Sequence, residues 1–393
     1  MSRILRSLAF LCLSLALPSA AAMAQSCQRH TFPTTPAWVT SVVFDPVENR
    51  LVMADPVRKA LWAFRAGDQV MPALNVQAAG EDRETLEYSP LSITATREGF
   101  LVQTKNGTLE LDRDLQTQRE VDLAHSSDPN HVGTLGTMHS GWISHQGYFL
   151  GFGAILGRGL STSQPAAVLN RQYEVGFVFG EHGPDGLTYA QQLRPFEHDL
   201  NVFYRLGLSY FAANDEALFF VQIAAEETSV WQVTPNGRKN PIVVEVENAV
   251  PSAYRSPGGF EASLQGSGES QLDKVAQIFG NLEGKTMVAG ILGHGSSVFL
   301  LTREPSTEAT LWSLWPVAPS RDKVDSRQLK LPTAANHINL VPGLNSWYII
   351  EKGPVRGWGD QEIQTVLEVP AQWIIDPRDS TLISDRVSCS ESP

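Results

Sequence analysis

The residue type with the clearest capacity for chemistry in this chain is histidine. Four of the nine histidines lie close together in the sequence: His125, His131, His139 and His145. A neutral imidazole is a good metal ligand and a good proton acceptor near neutral pH. His139 precedes an apolar run at Trp142 by three residues, and His337 precedes a similar run at Leu340 by three residues. His131, His139 and His337 are therefore candidates for a metal-binding or catalytic site, or else hydrogen-bonded polar residues of an ordinary fold.

A second group of candidate residues combines carboxylates with an imidazole over a short stretch. Glu181, His182 and Asp185 lie within the sequence Glu-His-Gly-Pro-Asp-Gly, whose Pro-Asp-Gly portion is a common turn sequence. We expect this stretch on a long surface loop. Such side chains on a loop suit a ligand-binding lid, and they suit an exposed, solvated loop equally well.

Sequence motifs of the familiar hydrolase, metal and nucleotide sites are absent. The stretch 280–286, Gly-Asn-Leu-Glu-Gly-Lys-Thr, has three residues between its glycines where a phosphate-binding loop needs four, and we interpret it as a turn. The chain has no G-x-S-x-G, no H-E-x-x-H, no cysteine pair at zinc spacing and no EF-hand loop. A catalytic triad assembled from distant residues would leave no such mark.

The elements that must position the candidate residues are short strands in a repeated order. An apolar residue, a tryptophan, a free position and a second apolar residue recur at 61–64, 230–233 and 311–314, each after strand-like apolar runs. The centres of the first strand of each repeat fall at Val43, Ile93, Trp142, Tyr210, Ile291 and Leu340. Four-stranded sheets that recur every 40–50 residues or so are typical of a β-propeller. The sequence predicts an all-β propeller of six blades, with seven as the alternative because 375–383 repeats the spacing of 44–52.

Two of the spacings between repeats exceed this period. They predict insertions near 158–200 and 250–274 in one otherwise continuous propeller domain, 25–393. The third and sixth blades of a six-bladed ring lie opposite each other. Since the beginning of an innermost strand lines the central channel, we expect His139 and His337 to face each other there.

The first 24 residues have the composition of a signal peptide. Arg3 and Arg6 precede an apolar stretch at 8–17, and Ala22-Met23-Ala24 is a small-residue cleavage site. The apolar stretch is too short to span a bilayer, so we expect an exported product, periplasmic or extracellular, without a membrane span. The formal net charge of −12 and the lack of a Lys/Arg run argue against nucleic acid and anionic membrane as partners. A monomer is the simplest expectation.

Cys27 and Cys389 stand at opposite ends of the expected mature chain, because Cys12 leaves with the signal peptide. An exported compartment permits a disulfide, and a propeller must join its two chain ends to avoid exposed sheet edges. We predict a Cys27–Cys389 bridge beside paired N- and C-terminal strands that close the ring. Two unpaired thiols in the terminal tails are the alternative.

The first repeat resembles the opening repeat of gluconolactonase-like six-bladed propellers and, more loosely, NHL repeats. The resemblance rests on 44–46 (Phe-Asp-Pro), 51–55 (an apolar run ending in Asp) and 61–64 (the closing strand). It implies the propeller fold and, in lactonase-type members, a divalent metal held in the channel by Glu, Asn and Asp. The family's metal-binding Glu corresponds here to Thr40, a weak neutral ligand, which argues against the activity. Asp185 lies in a Pro-Asp-Gly also seen in that family, but no following strand is recognisable.

These observations favour a non-catalytic binding or scaffold function, through the channel mouth or a loop-decorated face. The alternative is a metal-dependent hydrolase of lactonase type with a divalent metal in the channel and relocated ligands. Those ligands would come from His131, His139, His337, Glu181 and Asp185. The sequence leaves open whether the protein is an enzyme, and it identifies neither a ligand nor a partner.

Overall fold

The computed structural model of the chain is built almost entirely from β-strands. It describes residues 27–31, 39–65, 89–104, 108–121, 134–135, 142–156, 173–183, 186–195, 211–223, 228–234, 237–238, 241–244, 246, 249, 284–304, 310–317, 329–331, 333, 335, 337–352, 363–371 and 389–391. The strands within these residues form six sheets, and sequential neighbours in each sheet are antiparallel.

The strands are numbered in chain order. The N-terminal strand is β1 (Gln28–Thr31). The first sheet contains β2 (Ser41–Asp45), β3 (Arg50–Asp55) and β4 (Ala60–Arg65), and the second contains β5 (Pro90–Ala95), β6 (Gly99–Thr104), β7 (Thr108–Asp112) and β8 (Thr117–Val121). The third contains β9 (Thr134–Leu135), β10 (Trp142–His145), β11 (Tyr148–Leu156), β12 (Tyr173–Gly183) and β13 (Gly186–Pro195). The fourth contains β14 (Phe211–Ala213), β15 (Leu218–Ile223), β16 (Thr228–Thr234), β17 (Gly237–Arg238) and β18 (Ile242–Val244). The fifth contains β19 (Met287–His294), β20 (Ser297–Glu304), β21 (Leu311–Val317) and β22 (Leu329–Lys330). The sixth contains β23 (His337–Pro342), β24 (Ser346–Lys352) and β25 (Ile363–Pro370), which β1 and β26 (Ser390–Glu391) join.

The inner strands β2, β5, β10, β14, β19 and β23, one from each sheet, contact one another in sequence. Contacts join β2 to β5, β5 to β10, β10 to β14, β14 to β19, β19 to β23, and β23 back to β2. The approach is close where Gly293 of β19 meets the fourth sheet, since a Cβ atom there would lie 1.8 Å from the carbonyl oxygen of Ala213. This arrangement confirms the predicted all-β propeller fold. Five of the six expected first-strand centres lie in these strands, and Tyr210 lies outside the described residues.

Acidic and amide side chains shape the tight turns between strands. The Asp55 carboxylate accepts hydrogen bonds from the backbone N–H groups of Val57 and Arg58, each at 3.1 Å. The Asn214 side-chain oxygen does the same for Glu216 and Ala217, each at 2.9 Å. Such side chains satisfy backbone donors that a turn would otherwise leave unpaired, which is why Asp and Asn follow the apolar runs.

The repeated tryptophans lie in equivalent strands and form part of the core. Trp62, Trp231 and Trp312 stand in β4, β16 and β21, and each is buried. Trp312 packs in a cluster with Trp347 of the sixth sheet, so it fills the space between neighbouring sheets. Burial of an aromatic side chain of this size stabilises a fold by roughly 2–3 kcal/mol. The repeat therefore belongs to the scaffold.

The two ends of the chain meet in the sixth sheet. β1 pairs with β25 in antiparallel register and with β26 in parallel register. Cys27 directly precedes β1 and Cys389 directly precedes β26, and their Cα atoms lie 4.5 Å apart with the two sulfur atoms bonded. That separation is within the range that a disulfide spans.

The third sheet departs from the sequence-based expectation. Much of the range 158–200 was expected to be an insertion, but β12 and β13 within it extend the third sheet as a long hairpin. Alternating Val, Phe and Gly residues over 175–180 give β12 its strand character. The range 250–274, the first 24 residues and the segment 375–383, which bears on a seventh blade, lie outside the described residues.

Candidate functional site

Few of the candidate residues fall in the part of the chain that the structure describes. His131, His139 and Asp185 lie outside it, so their predicted roles stay predictions. Glu181 lies in β12 with an exposed side chain, paired with Tyr148 and Thr188 on the neighbouring strands. His182 is the next residue of that strand, opposite Leu187. The expectation of a long loop is therefore wrong for Glu181 and His182. A strand, β13, also follows Asp185 where none was recognised.

His337 is the candidate with the most informative surroundings. It begins β23, it is half-buried, and its cross-strand partner is Lys352 at the end of β24. Burial, and after it the nearby positive charges of Arg303 and Lys352, lower the pKa of His337 to about 4. At neutral pH the imidazole is therefore uncharged, and it can both donate and accept a hydrogen bond.

Lys352 is an ammonium group without a counterion among the described residues. It is partly buried, and no hydrogen bond or ion pair joins it to any side chain in the part of the chain that the structure describes. Burial lowers its pKa to about 8, because the charged form loses hydration that the described residues do not replace. A buried lysine of this kind is expensive for the fold and is characteristic of functional sites.

The carboxylate next to Lys352 in the sequence does not neutralise it. Glu351 accepts a hydrogen bond from the hydroxyl of Thr333 at 2.7 Å and another from Thr365, and it forms an ion pair with Arg29 at 3.6 Å. Successive side chains of a strand point to opposite faces of the sheet. Glu351 is thus held on the other face, where it links β1, β24 and β25.

Arg303 contributes a second positive charge from the fifth sheet. It lies near the end of β20, it is buried, and its guanidinium carbon stands 5.9 Å from the centre of the Trp312 ring. The Trp312 indole donates a hydrogen bond of 2.7 Å to the carbonyl of Ala335, which fixes the segment leading into β23 against the fifth sheet. The sheets are therefore tied together beside His337.

We call Arg303, His337 and Lys352 the strand-end cluster. All three stand at the end of their sheets where the first strands begin, since β20 and β24 run antiparallel to β19 and β23. Asn339 follows His337 on the same face of β23, and its buried amide nitrogen lacks a hydrogen-bond partner among the described residues. The cluster offers cations and hydrogen-bond donors but no free carboxylate, which suits an anionic ligand.

A different pair of histidines lies at the opposite end of the first strands. His145 ends β10 and His294 ends β19, with Asp215 in the turn near both. Burial lowers the pKa of both imidazoles, and the Asp215 charge partly offsets that effect. The backbone of Asp215 hydrogen-bonds to Gly295 at 2.8 Å and to the Gln146 amide at 3.0 Å, so this group bridges three sheets.

Of the positions that correspond to a lactonase-type metal site, Thr40 lies in the described part of the chain, and its hydroxyl is already engaged in a hydrogen bond. The Thr40 hydroxyl lies 3.4 Å from the carbonyl oxygen of Ala54, to which it donates a hydrogen bond. Among the described residues no group of three or more His, Cys, Asp or Glu side chains has a metal-binding arrangement.

Sequence reasoning singled out His337 as a candidate and did not consider Arg303 or Lys352. The sequence did contain a pattern that marks both residues. Each one follows the apolar run of the second strand in its repeat, Val298 to Arg303 in one and Tyr348 to Lys352 in the other. A basic residue that closes a buried strand is unusual, since Lys and Arg are almost never buried unless they are paired. Aligning the second strands as well as the first would have brought the two residues to attention.

Comparison with known proteins supports the fold and leaves the activity open. No protein-family profile matches the chain, and no curated protein matches it. The structure of a DUF4221 family member from Bacteroides vulgatus is similar, with a TM-score of 0.51 and 9% identity over 88% of this chain and 96% of that one. A calcium-binding regucalcin from Agrobacterium tumefaciens has a TM-score of 0.45 and 9% identity over 87% and 94%. A candidate exported protein from Bacteroides fragilis has a TM-score of 0.46 and 11% identity over 88% and 95%.

At such identities the likeness concerns the fold alone, since one fold hosts many functions. Among the described residues there is no helix long and apolar enough to cross a membrane. The strand-end cluster thus has to be interpreted from its own chemistry.

Proposed function

We propose that the protein is an exported, non-catalytic binding protein that takes a small organic anion at the strand-end cluster. The observation that carries the proposal is the partly buried Lys352 ammonium, for which the described residues supply no counterion. Removing an unpaired charge from water destabilises a folded protein by several kcal/mol. An anionic ligand that pairs with the charge would offset that cost on binding.

The neighbouring groups support an anion rather than a cation or a neutral molecule. Arg303 adds a guanidinium whose planar donors match a carboxylate, and the neutral His337 imidazole adds a donor without adding charge. The chain as a whole carries a formal net charge of −12, so a local surplus of positive charge stands out against its surroundings. Long-range repulsion from the rest of the surface would favour small anions over large polyanions.

The proposed location outside the cytoplasm rests on the signal-peptide features of residues 1–24 and on the Cys27–Cys389 pair. Disulfides persist in exported compartments and are rare in the cytoplasm. A propeller with a ligand site at one end of its sheets is a common design for a binding protein, because rigid sheets hold the side chains in place. We expect a monomer that binds its ligand without consuming it.

Isothermal titration of the mature protein, residues 25–393, with propionate and with inorganic phosphate tests the proposal. We expect one site for at least one of these probes, and Lys352→Met should weaken it by about 10- to 100-fold, the effect of losing one charge-assisted hydrogen bond. Lys59→Met is the matched control, since Lys59 is an exposed lysine in a turn of the first sheet and should leave the affinity within about twofold. Equal affinities for the Lys352→Met and wild-type proteins, or no binding of either anion, would contradict the proposal.

A further inference from the structure

The strand-end cluster contains a lysine where an arginine would hold an anion more firmly. Arg remains charged under all ordinary conditions and binds carboxylates through two parallel hydrogen bonds, whereas a buried Lys shifts its pKa readily. Arg303 already supplies the guanidinium of this site. The second basic residue, Lys352, is thus better suited to something that an arginine cannot do.

Nucleophilic attack by an uncharged amine is the chemistry that distinguishes lysine. The amine must lose its proton at moderate pH, and it must lie within reach of a bound carbonyl carbon. Burial lowers the pKa of Lys352 to about 8, so a substantial fraction of the side chain is an uncharged amine in a mildly alkaline medium. Lys352 and Arg303 both act as positive charges on His337, so the two cations lie near the same imidazole, and Glu351 is held by Thr333, Thr365 and Arg29 on the other face.

A proton carrier stands opposite the amine. His337 and Lys352 are direct cross-strand partners on β23 and β24, a relation that places Cβ atoms about 4.5–5.5 Å apart on one face of a sheet. The backbone is irregular at this point, because the pairing of β24 with β25 shifts between Glu351 and Lys352. Bulges of this kind occur next to functional sites, where they redirect a side chain. The neutral His337 imidazole can accept one proton and return it.

We propose that Lys352 forms a reversible imine with the carbonyl carbon of a small oxo acid whose carboxylate binds the Arg303 guanidinium. This inference rests on the proposed function and deepens it by naming the ligand class. It makes the protein a covalent, reversible carrier of oxo acids.

The step is balanced without an oxidant or a reductant. The lone pair of the uncharged Lys352 amine forms a bond to the carbonyl carbon, and the electrons of the C=O π bond move to oxygen. The nitrogen, now positive, gives one proton to His337, which passes it to that oxygen, so that a carbinolamine forms. The nitrogen then gives up its second proton through the same imidazole to the hydroxyl group, the C–O bond breaks, water leaves and the C=N bond forms. One amine and one oxo acid thus give one imine and one water, and hydrolysis reverses the step.

Reductive trapping of the wild-type mature protein tests the inference. The protein is incubated with pyruvate and sodium cyanoborohydride, and the adduct is located by peptide mass mapping. We expect one adduct per chain, on Lys352, formed at least tenfold faster than on the exposed Lys59, with a rate that rises through about pH 8, where half of the amine is uncharged, and levels at higher pH. Lys352→Arg should abolish the adduct, and circular dichroism checks that this variant is folded.

The failures of the two proposals are distinguishable in the same protein. Propionate has the carboxylate but no ketone, so it reports anion binding alone. If propionate binds with Lys352-dependent affinity and pyruvate gives no adduct on Lys352, the imine is wrong and the proposed function stands. If neither acid binds and no adduct forms, both are wrong. Labelling of Lys59 and Lys352 at equal rates would also overturn the imine, because it would show that Lys352 has no special reactivity.

Discussion

Asp45 and Lys352 are both charged side chains that the fold withdraws from water, but their surroundings differ. Asp45 is completely buried in the first sheet, where it accepts a hydrogen bond from Arg50 at 3.2 Å, another from Arg113 and a third from the backbone of Val47 at 3.2 Å. Lys352 has no such partner among the described residues. The described residues thus compensate the charge of Asp45 and supply no counterion for Lys352.

The paired charge has a structural role that its position explains. Asp45 and Arg50 are cross-strand partners of β2 and β3, and Arg113 follows β7 in the second sheet. The Arg50 guanidinium also donates to the carbonyl of Arg113. The network therefore binds the first sheet to the second. A buried charge whose partners all come from the protein indicates a structural role. A buried charge without such partners is a candidate for a ligand site.

The largest expected effect comes from breaking the paired charge. Asp45→Ala leaves the buried Arg50 guanidinium without its carboxylate, and we expect the free energy of unfolding to fall by about 3–5 kcal/mol. Guanidinium-induced unfolding followed by tryptophan fluorescence measures it. Asp114→Ala, at an exposed position, is the control and should change stability by less than about 0.5 kcal/mol. A loss below about 1 kcal/mol for Asp45→Ala would mean that the network is not a structural tie.

Removing the charge of Lys352 should change the free energy of unfolding in the opposite direction. Lys352→Met removes an ammonium group that is destabilising in the folded state, and Met fills a similar volume, so we expect the free energy of unfolding at pH 7 to rise by about 2 kcal/mol. The difference between wild type and variant should shrink as the pH rises from about 8 to 10.5, because the folded state binds fewer protons than the unfolded chain in this window. Unfolding titrations at several pH values measure this trend. A loss of stability on Lys352→Met would show that the ammonium has a partner after all.

The fold was predictable because its signals are local and repeated. The spacing of apolar runs placed five of the six described first strands, and the tryptophans at 62, 231 and 312 marked equivalent buried strands. The long hairpin of β12 and β13 escaped because its extra residues lengthen existing strands, which a fixed period does not anticipate.

The site was harder to predict for a different physical reason. His337 was singled out by its offset from a strand centre, but its surroundings include Arg303, which lies 34 residues earlier and in another sheet. Whether a lysine is paired depends on the three-dimensional positions of carboxylates, and Glu351 beside Lys352 in the sequence gives the wrong impression that a counterion is at hand. The alternation of strand faces separates the two, and that follows only once the strand and its register are known.

The smallest expected effect concerns the uncharged member of the cluster. The pKa of His337 is about 4 in the folded protein against an ordinary 6.5. As the pH falls, the imidazole is therefore protonated in the unfolded chain before it is protonated in the folded protein. Above about pH 6.5 the imidazole is neutral in both states, so its titration does not affect stability. As the pH drops from 6.5 to 4, the unfolded chain binds more protons, and the free energy of unfolding falls. We expect this loss to be about 1 kcal/mol, because the half-buried imidazolium keeps part of its hydration and solvent screens part of the repulsion from Arg303 and Lys352.

His337→Gln should remove that part of the acid-side slope and leave stability at pH 8 nearly unchanged, as measured by denaturant titrations at pH 4.5, 5.5, 6.5 and 8. Lys352→Met should reduce the slope as well, since one of the two charges that repel the imidazolium is then gone. Coupling between the two substitutions in a double-mutant cycle would establish that His337 and Lys352 interact across the strands. If the two effects were additive at every pH, the imidazole and the amine would be independent, and the proton transfer proposed between them would lose its physical basis.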